Sequence, residues 1–434
     1  MKNERKLIRT EILAGISSFL ATFYIIIVNP AILSIAGMPF SAIVTSTILV
    51  AAFGSIMMGV YAKNPIVIAP GMGLNAFFTY TAVLGLGLSY QAALGAVFWA
   101  GVLFFILSIL KLRDKIVIAI PQTLRYAIAS GIGLFISFIG FQNAGFIVYN
   151  KATLVALGSL NDPLIITFLI GLGVTAVLVA RQLKGAIILG IIITTILAWP
   201  IGRWWGDATL VNYGTSTIVN YSGIFAMPDF SLLFKLDFIG SIQYAFLPVI
   251  FVFAFTDLFD SLSTFVGLAE ASGYKDKDGN PRNLKKSLTI DAVTTIFSGL
   301  VGTSSGTAYI ESAVGIREGG KTGITAITAG LLFLPFLFFS PLLSIVPSIS
   351  SAIALVLVGS FMMKPLAKIN WNIPDEAIPV FLTTILMPLT YSITTGILFG
   401  FLSYTILKLF TGKKEEINPI LIIINLLSLI YLWL

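Results

Sequence analysis

Apolar runs of bilayer length follow one another through nearly the whole of this chain, and no other feature constrains its fold as much. A helix needs about 20 mainly apolar residues to cross a hydrocarbon core about 30 Å thick. Runs of this length, or somewhat short of it, lie near 12–35, 40–61, 66–84, 91–110, 116–142, 163–180, 185–199, 238–268, 287–302, 307–316, 323–345, 350–363, 377–389 and 392–408. In lipid every backbone N–H and C=O must find its partner inside the protein, so such runs are helices. The sequence therefore predicts an all-α polytopic membrane protein with fourteen transmembrane spans. A further apolar stretch, 417–434, follows the turn Lys413-Lys414-Glu415-Glu416 and reads either as a fifteenth span or as a helix lying in the interface. Composition excludes the soluble alternative: 57% of residues are hydrophobic and 10% charged, where a soluble domain carries roughly 25% charged residues. The first run is too long for a signal peptide and has no small-residue cleavage site, so it reads as span 1.

The net charge of +7 would suit a nucleic-acid partner in a soluble chain. Here its distribution gives another reason. With the N-terminus (Lys2, Arg5, Lys6, Arg9) inside and the chain alternating through fourteen spans, 23 of the 26 positive residues fall on the inner side. Lys151, Arg203 and Lys235 are left outside. Such a bias is what orients membrane proteins, so no nucleic acid is expected. The localisation predicted is a cytoplasmic membrane with the N-terminus inside.

Weak internal similarity divides the chain in two. "GIIITTIL" at 190–197 resembles "GFLSYTIL" at 400–407, and "IPQTLRYAIASGIGLF" from Ile120 resembles "VPSISSAIALVLVGSF" from Val346. The two offsets are close, at 210 and 226 residues. Seven spans per half is an odd number, so the second half would enter the membrane from the opposite side. A 7+7 inverted repeat of this kind recurs in secondary transporters. Spans 3 and 10 occupy equivalent places and both are irregular. Span 3, "NPIVIAPGMGLNAFFTYTAVLGLGL", has a β-type run, then Pro70-Gly71, then a Gly-broken apolar stretch. Span 10, "GTSSGTAYIESAVGIREGGKTG", is too polar and short for one continuous crossing. Paired interrupted segments point to a substrate site near the midplane.

The acidic residues narrow the site. Asp257, Asp260, Asp291 and Glu311 lie well inside spans, where an ionisable group costs about 2.5–3.5 kcal/mol on insertion scales and is a functional candidate by default. Asp257 and Asp260, three apart in "FTDLFDSLSTF", share a helix face with Thr264 one turn further on. The plain alternative for each is a helix-packing hydrogen bond. It weighs most on Asp291, which lies near Lys285 and Lys286 and reads as a structural ion pair. Asn75 is the polar residue of span 3 opposite Glu311 in the repeat. Phe77, Phe78, Phe23 and Tyr24 could stack on a flat ligand, although Phe is abundant and core packing suits each equally. With no His and no Cys, any proton chemistry must rest on carboxylates. Carboxylates beside an amide and aromatic rings suit a neutral, planar, hydrogen-bonding solute. An anion would want Arg, Lys or bare helix N-termini at the midplane.

At these residues the chain resembles the nucleobase–cation symporter family, in its azaguanine-resistance-like branch of hypoxanthine, guanine and adenine permeases. The likeness runs from "FYIIIVNPAIL" through "NPIVIAPGMGLNAFFTY", "GIGLFISFIGFQ" and "TSSGTAYIESAVG" to "MPLTYSI". It implies a 7+7 inverted-repeat fold with short β-strands in spans 3 and 10 facing the substrate. A core domain would comprise residues 1–115 and 238–346, and a gate domain residues 116–237 and 347–411, with 412–434 as a C-terminal apolar segment. The resemblance carries substrate binding onto Asn75, Asp260 with Asp257 before it, and Glu311. Thr264, Phe77, Phe78 and Ser312 complete the expected site, and Asp257, Asp260 and Glu311 are the candidates for a coupled proton. The family's Asp-Thr-x-Gly-Thr motif reads Asp260-Ser261-Leu262-Ser263-Thr264 here, and Gly306 stands where a larger residue is common. The function expected is import of a purine nucleobase by proton symport, with no cofactor beyond the coupling ion and with the lipid bilayer and a homodimer as partners. Two rivals are an anion transporter of the same fold and an intramembrane aspartyl protease. The second would need Asp residues on separate helices and a Gly-x-Gly-Asp motif, which does not occur.

Overall fold

A computed structural model describes residues 2–110, 121–209, 216–221, 223–243, 246–272, 281–419, 421–422 and 425. Lys111, Arg113, Lys115, Lys275, Lys277 and most of the 417–434 stretch lie outside the described residues. The fold is mostly helical. Among the described residues, seven helical stretches are long and apolar enough to cross a membrane: Leu7–Ala36, Phe40–Ala62, Tyr90–Ile109, Gln122–Asn143, Pro163–Ala180, Ser348–Lys368 and Ile393–Phe410. Other elements are shorter, more polar or interrupted. The first stretch is two helices, α1 (Lys2–Thr22) and α2 (Ile25–Leu33), parted at Phe23–Tyr24.

The expected irregularity in spans 3 and 10 is present. After α3 (Phe40–Met57), strand β1 (Ile68–Pro70) leads into the short helix α4 (Met72–Ala76), whose turns widen over Phe77–Gly85. Strand β4 (Gly306–Ala308) likewise precedes a single tight turn, Ile310–Ser312, and a short helix (Ala313–Arg317). The two strands pair antiparallel, Ile68 with Ala308, Ala69 with Thr307 and Pro70 with Gly306. Three-residue strands can persist at membrane depth because they are wholly buried and satisfy one another and their neighbours. The Gly71 N–H donates to the Ser305 carbonyl (2.9 Å) and the Tyr309 N–H to the Val67 carbonyl (3.0 Å). Ser55 of α3 holds both backbone groups of Ile68 at 3.1 Å.

Gly306 explains itself here. A Cβ at this position would stand 2.6 Å from the Thr294 methyl and 3.1 Å from a Val50 methyl, so the strand could not lie where it does. Close helix approach sets a second glycine: a Cβ on Gly323 would come 1.9 Å from the Gly59 carbonyl oxygen. Small residues at such crossings let backbones touch in a membrane, where water drives no association between helices.

Around the strand pair stand α3, the long helix over Leu247–Ser272 and the helix over Leu284–Val301, and α5 (Tyr90–Ile109) packs against the last two. The helices Gln122–Asn143, Pro374–Leu389 and Ile393–Phe410 pack on one another, as do Pro163–Ala180, Ala186–Ala198 and Ser348–Phe361. A small antiparallel hairpin, Ile147–Asn150 with Leu154–Leu157, was not anticipated by the sequence.

One inner-side charge proves to be no loop charge. Lys408 is 1% exposed and lies 2.9 Å from Asp375 and 2.7 Å from Glu416, with Lys413 reaching Asp375 at 2.8 Å. This cluster pins the end of Ile393–Phe410 to the start of Pro374–Leu389. Hydrogen bonds from Lys413 and then Lys408 hold the Asp375 carboxyl at about 2.

Candidate functional site

The long helix Leu247–Ser272 carries two acidic residues one turn apart, and the fold gives them different surroundings. Asp257 is fully buried. Its Oδ2 accepts the Thr295 hydroxyl at 2.6 Å, and that hydroxyl also lies 3.3 Å from the Gly306 carbonyl oxygen. Asp291, also fully buried, is close enough to Asp257 for the two charges to interact. Asp291, expected to be a structural ion pair, lies buried beside Asp257. Helical spacing explains this: Asp291 and Thr295 are four apart on Leu284–Val301 and share its inward face.

Asp260 is half-exposed. The Thr307 hydroxyl, from the central residue of β4, hydrogen-bonds its carboxylate, and Glu311 lies within electrostatic reach. Glu311 is half-exposed as well, on the tight turn after β4. Its Oε1 accepts the Tyr24 hydroxyl at 2.7 Å. Two part-buried carboxylates from different elements thus lie within electrostatic reach of one another beside β4, each steadied by a hydroxyl. Thr264, half-exposed, lies one turn beyond Asp260.

The other expected residues are present but differently employed. Asn75 and Glu311 each lie five residues beyond the paired Pro70 and Gly306, as the repeat requires. Asn75 is fully buried, however, and its Oδ1 accepts the Ser304 hydroxyl, tying span 3 to the turn that enters β4. The Ser312 hydroxyl accepts the Val67 N–H at 3.0 Å and fastens the two interrupted segments together. Phe77 and Phe78 are 1% and 0% exposed; Phe77 meets Phe253 edge-on with centroids 4.7 Å apart, and Phe78 is tilted against it at 6.4 Å. Their rings form the wall of the core and offer no face to a ligand. Phe23 packs edge-on against Phe336 at 4.6 Å.

Sequence reasoning gave one contributor another role and missed three. Tyr24 was read as a ring to stack on, yet its hydroxyl is what reaches the site. Thr295 and Thr307 sit in apolar or Gly/Ser-rich surroundings where a lone hydroxyl carries no signal. Asn29, whose amide donates to Thr47 at 2.7 Å and Thr303 at 2.9 Å, could have been noticed as the amide of "VNP" inside span 1.

Comparison with known proteins agrees with this architecture. A family model described as "Permease family" matches residues 9–399. The chain is 41% identical to the adenine permease AdeP of Escherichia coli K12 over 424 residues, covering 97% of this chain and 92% of the relative. It is 39% identical to the guanine/hypoxanthine permease PbuO of Bacillus subtilis 168 over 444 residues, covering 100% and 99%. Among solved structures, the transmembrane domain of the cyanobacterial bicarbonate transporter BicA superposes with a TM-score of 0.66 at 15% identity, over 90% of this chain and 97% of that one; this likeness concerns the fold alone. With its apolar helices and its broken, strand-bearing segments, the chain is a multi-pass membrane transporter, not an enzyme, and it belongs to the permease family.

Proposed function

We propose that this permease imports purine nucleobases, adenine or guanine and hypoxanthine, across the cell membrane by proton symport. The observation that carries the reading is the proximity of Asp260 and Glu311, two part-buried carboxylates held by Thr307 and Tyr24 beside β4. Guanine offers a ring N–H beside its exocyclic amine, adenine an exocyclic amine and hypoxanthine ring N–H groups, and a carboxylate has two oxygens that can accept them. In a water-poor site such charge-assisted bonds are short and strong. Relatives named as adenine and guanine/hypoxanthine permeases support the same substrate class. Asp260 and Glu311 bind the base, Thr264 borders it, and Asn75 acts from behind by fixing the turn into β4. The coupled proton resides on a carboxylate among Asp257, Asp260 and Glu311, since the chain has no His.

Fourteen spans in two inverted halves account for the antiparallel strand pair, because related segments entering from opposite sides meet head to head. The packing of helices into two groups supports a core of residues 1–115 and 238–346 and a gate of residues 116–237 and 347–411. Alternating access is then movement of one group past the other, with the N-terminus inside and a homodimer holding the gates. An anion substrate is the weaker reading: the bicarbonate transporter shares the fold, but two carboxylates at the site would repel an anion.

Uptake of labelled adenine, guanine, hypoxanthine, xanthine and uracil into a permease-deficient host tests the proposal. Purine uptake abolished by a protonophore is expected. Absence of purine uptake, or sulfate competition at the same site, would overturn it.

A further inference from the structure

The break in span 1 serves a contact that the sequence does not advertise. Helix α1 ends at Thr22 and α2 begins at Ile25, and Tyr24 stands at the joint with 1% of its surface exposed. Its hydroxyl reaches Glu311, 287 residues away, at 2.7 Å. The neighbouring Tyr309, whose ring centroid is 6.4 Å from that of Tyr24, turns its hydroxyl elsewhere: it donates to the Pro70 carbonyl at 2.5 Å. One tyrosine thus braces the strand pair and the other braces the carboxylate.

A glutamate side chain has three rotatable bonds and loses up to about 2 kcal/mol of rotamer freedom when fixed. A ligand that must order it first binds more weakly, and a residue that orders it beforehand recovers that affinity. We propose that Tyr24 is a positioning residue: its O–H occupies Oε1 of Glu311 and so presents Oε2 to an N–H of the bound nucleobase. The inference rests on the proposed function, in which Glu311 binds the base. Tyr24 does not touch the base; it lies in the wall and acts through Glu311. Losing that ordering corresponds to a loss of affinity of up to about 30-fold.

Tyr24→Phe keeps the ring and removes only the donor. In the full-length protein, initial-rate uptake of adenine and hypoxanthine should give a KM raised about 10-fold or more. Maximal rate per molecule at the membrane should stay near wild type, and the melting temperature of the purified protein without ligand should fall by no more than a few degrees, as for one lost buried bond. A residue of purely structural importance would lower abundance and melting temperature and leave KM alone; that outcome, or a variant with wild-type KM, overturns the inference while purine transport stands. A wild-type protein that takes up no purine overturns the functional reading and this inference with it.

Discussion

Asp257 and Asp260 are one helical turn apart on the same helix, and the fold puts them to opposite uses. Asp260 is part-buried, with Glu311 within electrostatic reach and the Thr307 hydroxyl beside it. Asp257 is sealed behind β4, with Thr295 as its donor and the buried carboxyl of Asp291 nearby. The difference teaches that spacing places two groups on a face, but the neighbours across that face decide which can meet a ligand. On the proposed reading the open pair holds the substrate and the sealed pair is a candidate seat for the coupled proton.

The comparison breaks most easily at Glu311. Removing its carboxylate with Glu311→Ala should cut purine uptake at least 100-fold while the protein still elutes as a folded species; normal uptake would remove the open pair from the site. Asp260→Asn keeps the shape but loses the charge and turns one acceptor oxygen into a donor. Its KM should rise about 10- to 100-fold, in line with about 1.5–3 kcal/mol for a charge-assisted bond. If KM stays put and only coupling fails, the two pairs have exchanged roles.

Asp257→Asn sharpens the other side of the contrast. It should leave the KM for exchange within about threefold of wild type but abolish uphill accumulation driven by a pH gradient. An equal loss of binding would show that the sealed pair also contacts substrate. The smallest effect is expected at Asn75 and Ser312, whose bonds fasten the interrupted segments to each other. Asn75→Ala and Ser312→Ala should each cost about 1–3 kcal/mol of stability by orphaning a buried partner. That would appear as a melting temperature a few degrees lower, with KM changed less than twofold. A large KM change at Asn75 would place its amide on the ligand after all.

The two paired, strand-bearing segments differ as well: one presents a buried amide, Asn75, and the other a part-buried carboxylate, Glu311. Gly306 keeps their pairing possible, since Thr294 occupies the space a side chain would need.

Much of this was legible in order of residues. Hydropathy dictates a chain of membrane helices because lipid leaves backbone groups no other partner. The same physics makes "NPIVIAPGMG" and "GTSSGTAYIESAVG" stand out as segments that cannot cross as plain helices. Buried charge is costly in lipid, so Asp257, Asp260, Asp291 and Glu311 announced themselves. What the order of residues could not convey is who faces whom. Phe77 and Phe78 looked like ligand platforms and are core wall against Phe253. Asp291 reads as a structural ion pair, and only the fold shows it buried beside Asp257. Tyr24 looked like a ring and acts through its hydroxyl. Each depends on contacts between segments far apart in the chain: 287 residues for Tyr24 and Glu311, and 229 for Asn75 and Ser304. Sequence alone determined the membrane, the interruptions and the acids, because each follows from local chemistry in a nonpolar solvent. Only the tertiary structure sorted those acids into an open pair and a sealed one, because exposure and hydrogen-bond partners belong to the packed neighbourhood and not to the residue.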